Sequence, residues 1–91
     1  MRKFMIEREL PGIGSAQRQE LKATAQKSNE TLRELGPDIQ WVESYIAEDK
    51  TYCVYLAEDE ALVRRHAEIS GFPTDRIIEI KTKIDPSGAR E

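Results

Sequence analysis

Cysteine, histidine and tryptophan each occur once in this chain of 91 residues. One cysteine excludes an intrachain disulfide, and with one histidine there is neither a His-x-x-x-His pair nor a Cys-x-x-Cys motif, so no strong metal signature is present. No apolar run approaches the roughly 20 residues that cross a bilayer. At the N-terminus Glu7, Arg8 and Glu9 interrupt the apolar opening too early for a signal peptide. The expected location is therefore the cytoplasm. An excess of positive charge is missing as well: 14 basic residues stand against 17 acidic ones, with a formal charge of -3. The densest basic cluster, Arg64-Arg65-His66, is short and flanked by acids, so nucleic acid is not an expected partner. No serine sits in a G-x-S-x-G elbow, and Pro11-Gly12-Ile13-Gly14-Ser15 lacks the Lys-Ser/Thr ending of a phosphate-binding loop. It reads as a loop, with Ser15 placed to cap a helix.

What is present is a sequence of well-marked elements. Phe4, Ile6, Arg8 and Leu10 alternate with Met5, Glu7 and Glu9, a strand pattern that Pro11-Gly12 ends. Leu21, Ala25, Ser28, Leu32 and Leu35 recur at helical spacing, and Gly36-Pro37 stops the helix. Asp38 to Ala47 and Thr51 to Ala57 are β-branched and aromatic runs joined by Glu48-Asp49-Lys50, which predicts a hairpin whose turn lacks glycine. A second helix starts near Asp59, turns Leu62, Val63, His66, Ala67 and Ile69 inward, and closes at Gly71 before Phe72-Pro73. Arg76 to Ile84 alternates again, with Ile78, Ile80 and Ile84 opposing Glu79, Lys81 and Lys83. The order strand, helix, strand, strand, helix, strand predicts an α+β ferredoxin-like βαββαβ fold. Its four-stranded antiparallel sheet would have the spatial order 4-1-3-2 and both helices on one face. One domain spans residues 1–91, with an ordered core from about 3 to 85 and a tail from 86 to 91.

Two helices leave one sheet face uncovered, and alternation assigns residues to it. With Phe4, Ile6, Val42, Ile46, Val54, Leu56, Ile78 and Ile80 facing the helices, the uncovered set is Met5, Glu7, Glu9, Trp41, Glu43, Tyr45, Cys53, Tyr55, Glu79 and Lys81. That set is too aromatic for plain solvent exposure. Two such faces packed together form a dimeric α/β barrel, so a homodimer with a pocket between its sheets is expected, lined by Trp41, Tyr45 and Tyr55. The segment Ile39 to Ala57 holds the tryptophan, the cysteine and all three tyrosines, and so supplies most of that pocket. Glu7 and Cys53 fall on adjacent central strands with Glu43 nearby, a mixed oxygen and sulfur set that suits borderline metals. The competing reading makes Cys53 a small core hydrophobe and the acids solvated. His66 lies between Leu62 and Ile69 on the second helix, where a packing role competes with a ligand role. Sharing one metal with Cys53 would require a different strand parity.

The motifs Glu7-Arg8-Glu9 with Pro11-Gly12, the run Gly36 to Tyr55, and His66-Ala67 followed by Gly71-Phe72-Pro73 are similar to those of a family of small bacterial proteins. That family is typified by an actinobacterial nickel-binding, nickel-responsive protein, and the resemblance runs from about Phe4 to Asp85. It implies a ferredoxin-like fold, a dimer and nickel binding. Glu7, Glu43, Cys53 and His66 are candidate ligands from their chemistry. The leading expectation is a dimeric protein that binds nickel or a similar borderline divalent cation for sequestration or sensing. The alternative is an enzyme of dimeric α/β-barrel type, acting on a small aromatic or polyketide-like molecule with Glu7, Glu43, Tyr55 or His66 as acid or base.

Overall fold

The computed structural model describes residues 1–71 and 74–90, so the expected Phe72-Pro73 connection lies outside the described residues. Six main elements follow one another: β1 Arg2–Glu9, α1 Arg18–Leu35, β2 Ile39–Ile46, β3 Lys50–Ala57, α2 Glu60–Ser70 and β4 Arg76–Ile80. The strands pair antiparallel in the order β2-β3-β1-β4, which is the ferredoxin-like order that the pattern predicts. β1 and β3 are central and pair along their full length, from Arg2 opposite Ala57 to Glu9 opposite Lys50.

Helix ends follow the residues placed there. Asp59 caps α2 by accepting a 3.0 Å hydrogen bond from the Leu62 N–H. Gly71, at φ 73°, ends α2 in the left-handed region, with its N–H donating to the Ala67 carbonyl. The start of α1 departs from expectation: the N-cap position is Gln17, without a side-chain cap, and Ser15 instead ends a 3-10 turn at Ile13–Ser15. Pro11 and the left-handed Gly12 turn the chain sharply after β1, and that turn uses Ser15 before the helix begins.

The glycine-free β2–β3 turn is held by the loop after β1. Leu10 N–H donates to the Asp49 carbonyl at 2.8 Å, Gly12 N–H to the Asp49 carboxylate at 2.8 Å, and Gly14 N–H to the Glu48 carbonyl at 2.9 Å. Gly14 lies so close that an added Cβ would stand 2.8 Å from the Ala47 oxygen and from the Glu48 Cα.

The core between sheet and helices is built on Phe4, Ile6, Ile39, Cys53, Tyr55, Ala57 and Val63, with Leu32, Leu35, Trp41, Leu62 and Ile77 packed at its edge. This reverses the expected parity of β3 and β4. Cys53 and Tyr55 face the helices, in register with Ile6 and Phe4 of β1, whereas Val54 and Leu56 share the uncovered face with Met5. On β4, Ile77 pairs with Ile6 and faces the helices, so Ile78 and Ile80 lie on the uncovered side. The reason is that both alternating sets of β3 are apolar: Tyr52, Val54, Leu56 and Cys53, Tyr55, Ala57 differ by a one-residue slip that hydrophobicity alone does not resolve. The set that includes small Ala57 goes beneath the helices. In β2 a bulge inserts Val42, so Trp41 pairs with Tyr55 while Glu43 pairs with Val54. Trp41 therefore lies on the helix side, Val42 is exposed, and Ile46 keeps its expected side. The last strand is also shorter than predicted. It ends at Ile80, and Ile84 is 88% exposed, followed by a 3-10 segment at Pro86–Arg90.

Candidate functional site

The reversed parity brings together side chains that the expected arrangement keeps apart. Arg8 continues the inward row of Phe4 and Ile6, so its guanidinium is carried beneath α1 and is only 3% exposed. Its Nη1–H donates to the Cys53 sulfur at 2.9 Å, and Cys53 is itself buried. From above, α2 lowers His66 into the same layer, where its ring lies 4.9 Å from that of Tyr55. The His66 Nε2 is 3.0 Å from the Ser28 hydroxyl of α1, and its buried Nδ1 has no hydrogen-bond partner among the described residues. Arg8, Ser28, Cys53, Tyr55 and His66 thus form one polar cluster in the interior.

Burial decides the electrostatics here. It pushes the His66 imidazole down to about 4, and the Arg8 charge adds to the effect, so His66 is neutral at pH 7. Burial likewise raises the Tyr55 phenol above its usual value, with the neighbouring Cys53 adding to the rise. The cluster therefore holds one firm charge, the guanidinium of Arg8.

Beside the cluster, between α1 and the sheet, a cleft of about 460 Å³ opens. Its floor is Arg8, Thr51, Cys53 and Tyr55. Trp41, Ser44 and Ile46 form one wall, with Leu21, Thr24, Ala25 and Ser28 of α1 above. Trp41 is fixed across the β2 bulge by donating its indole N–H to the Ser44 hydroxyl at 2.9 Å.

The four candidate metal ligands separate into two pairs on opposite sides of the sheet. Glu7 and Glu43 lie on the uncovered face, where Glu7 is 3.7 Å from the Lys50 ammonium. Cys53 and His66 lie beneath the helices. Among the described residues no group of three or more His, Cys, Asp or Glu side chains converges. The Cys53 and His66 pair has the sulfur and nitrogen chemistry for nickel but does not fit an ion as it stands, because it offers two donors and a cation already occupies hydrogen-bonding distance of the sulfur. Of the expected pocket residues, Tyr45 is on the uncovered face and 56% exposed, whereas Trp41 and Tyr55 line the cleft beneath α1 and not a space between sheets. Arg8 and Ser28 are site residues that the sequence pattern does not single out. The signal for Arg8 was in its parity with Phe4 and Ile6, and that for Ser28 in its place on the inner stripe of α1.

No helix among the described residues is long and apolar enough to cross a membrane. The fold matches the crystal structure of SCO4226 from Streptomyces coelicolor A3(2) with a TM-score of 0.75, covering 90% of this chain and 99% of that one at 18% sequence identity. Among proteins with curated descriptions none matches. The family described as nickel responsive protein SCO4226-like matches residues 4–80, and the chain belongs to that family.

Proposed function

We propose that the protein binds nickel, or a similar borderline divalent cation, as a cytoplasmic homodimer, for sequestration or sensing. Family membership supports the nickel response, and a free, buried thiol fits a reducing compartment. The observation that carries the dimer is the uncovered sheet face. Met5, Val54, Leu56, Ile78 and Ile80 lie there with Lys3 between Leu56 and Ile80, bordered by Tyr45 and Tyr52, and Val54 at the centre is buried by its neighbours. Tyr45 is 56% and Ile78 37% exposed, an apolar display that a second copy of the same face would cover.

Glu7 and Glu43 stand on that same face. Among the described residues of one chain too few donors converge for a closed site, and a two-fold partner would double the carboxylates at the interface. For a given donor set, affinity among divalent ions rises from manganese through cobalt to nickel. Nickel titration of tag-free protein tests the assignment. Glu7→Gln and Glu43→Gln are expected to weaken binding, while Cys53→Ala and His66→Ala retain it. Retained affinity in both carboxylate variants, with loss in the other two, would move the site beneath the helices.

A further inference from the structure

The two ends of the layer between helices and sheet are packed differently. At one end Phe4, Ile39 and Ala57 are closed over by Val63 of α2 and by Leu32 and Leu35 of α1. At the other end no described residue of α2 lines the space, and α1 alone forms the roof. There α1 presents Thr24, Ala25 and Ser28, where the same helix later carries Leu32 and Leu35. These small side chains leave open the cleft of about 460 Å³, a volume within the range of small-molecule sites.

Its walls are largely apolar. Trp41 and Tyr55 are cross-strand partners on β2 and β3, so their rings share the cleft side of the sheet. Ile13, Leu21 and Ile46 close the sides, and Ile46 is 43% exposed. The polar groups among them are engaged with one another. Trp41 donates its indole N–H to Ser44, Ser28 bonds with His66, and Thr24 donates its hydroxyl to the Glu20 carbonyl. Arg8 donates to Cys53 and also engages the Tyr55 side chain. Among the described residues the lining holds no carboxylate, and Arg8, its cation, is held within the fold. An ionised ligand group would lose its water here and find no free counterpart, a cost that a neutral ligand does not meet.

We propose that this cleft binds a neutral, planar, fused-ring aromatic molecule, seated between the small residues of α1 and the rings of Trp41 and Tyr55. Offset or tilted contact with those two rings adds an attraction that a saturated molecule of the same size does not receive. Trp41 is held in place for this contact by its bond to Ser44. The inference is independent of the nickel assignment, because the cleft and the carboxylates Glu7 and Glu43 are on opposite sides of the sheet.

The test titrates three compounds at neutral pH into metal-free, full-length protein and follows them by solution NMR. They are 2-naphthol, the ionised 2-naphthoate, and decahydro-2-naphthol, which keeps the skeleton and the hydroxyl but is puckered and has no π-face. Trp41 is the sole tryptophan, so its indole N–H gives one side-chain signal within the cleft. Saturable shifts of that signal and of the Ala25, Thr51 and Cys53 amides are expected with 2-naphthol. The naphthoate should bind at least about tenfold more weakly, and the saturated alcohol at least about threefold more weakly. Ala25→Phe, which fills the cleft from α1, should abolish 2-naphthol binding in protein that circular dichroism shows to be folded. Should that variant fail to fold, the comparison of the three compounds on the unaltered chain decides the matter. Naphthoate or the saturated alcohol binding as tightly as 2-naphthol, an unmoved Trp41 signal, undiminished binding by folded Ala25→Phe, or no saturation below about 2 mM would each overturn the proposal.

Discussion

Arg8 and Cys53, on neighbouring central strands, meet beneath the helices with the guanidinium Nη1 2.9 Å from the sulfur. The contact is buried, so losing the acceptor matters more than it would at the surface. Cys53→Ala should destabilise the fold by about 1–3 kcal/mol, the usual cost of removing a partner from a buried donor. Cys53→Ser, which keeps an acceptor of similar size, should lose less. Urea unfolding of the two variants checks this, and equal loss in both would show that packing and not the hydrogen bond dominates.

The thiol itself should be slow to react. Cys53 is 8% exposed, and access to the thiolate controls attack on a disulfide reagent. Modification by an aromatic disulfide is expected to be at least about 100-fold slower in native protein than in urea. A native rate close to the unfolded one would mean that the layer between α1 and the sheet opens readily.

His66 makes stability depend on pH in a window of its own. Its pKa falls from 6.5 in the unfolded chain to about 4 in the fold, so the unfolded state binds more protons between these values. Its contribution is complete above about pH 6.5 and is lost as pH falls toward 4, a change on the order of 3 kcal/mol. Glu79, drawn down to about 2 chiefly by the hydrogen bond from Arg2, loses its contribution only at lower pH. Unfolding measured at pH 7.5, 5.5 and 4.5 should therefore fall in wild type and flatten in His66→Gln. An unchanged slope in the variant would assign the dependence elsewhere.

How much of this was legible in the sequence differs by element. The order of strands and helices, and the glycine stops at Gly36 and Gly71, follow from periodicity and backbone chemistry. The side of the sheet that Cys53 and Tyr55 occupy does not, because β3 is apolar on both alternations. The bulge at Val42 left no signature either, and without it Trp41 and Ile46 cannot both face the helices. Arg8 illustrates the opposite case: its inward parity was plain from Phe4 and Ile6, but a cation is ordinarily expected to turn outward. The separation of Glu7 and Glu43 from Cys53 and His66 follows directly from these parities.

The contact between the two loops gives a test of the fold itself. A Cβ on Gly14 would meet backbone atoms of Ala47 and Glu48 at 2.8 Å, and backbone cannot move aside as a side chain does. Gly14→Ala should cost about 1–3 kcal/mol in thermal or urea unfolding. Gly88→Ala, where nothing lies within 4 Å, is the near-neutral control.

The most direct test of the proposed function couples oligomeric state to nickel binding. Tyr45→Asp combined with Ile78→Asp places charge at two exposed positions of the uncovered sheet face and leaves the core beneath the helices untouched. Sedimentation and nickel titration are run on the same tag-free samples, with circular dichroism confirming the fold. The account expects a wild-type dimer that binds nickel, and a folded monomeric variant whose affinity is at least about tenfold weaker. A folded monomer that binds nickel with wild-type affinity and the same number of ions per chain would contradict it.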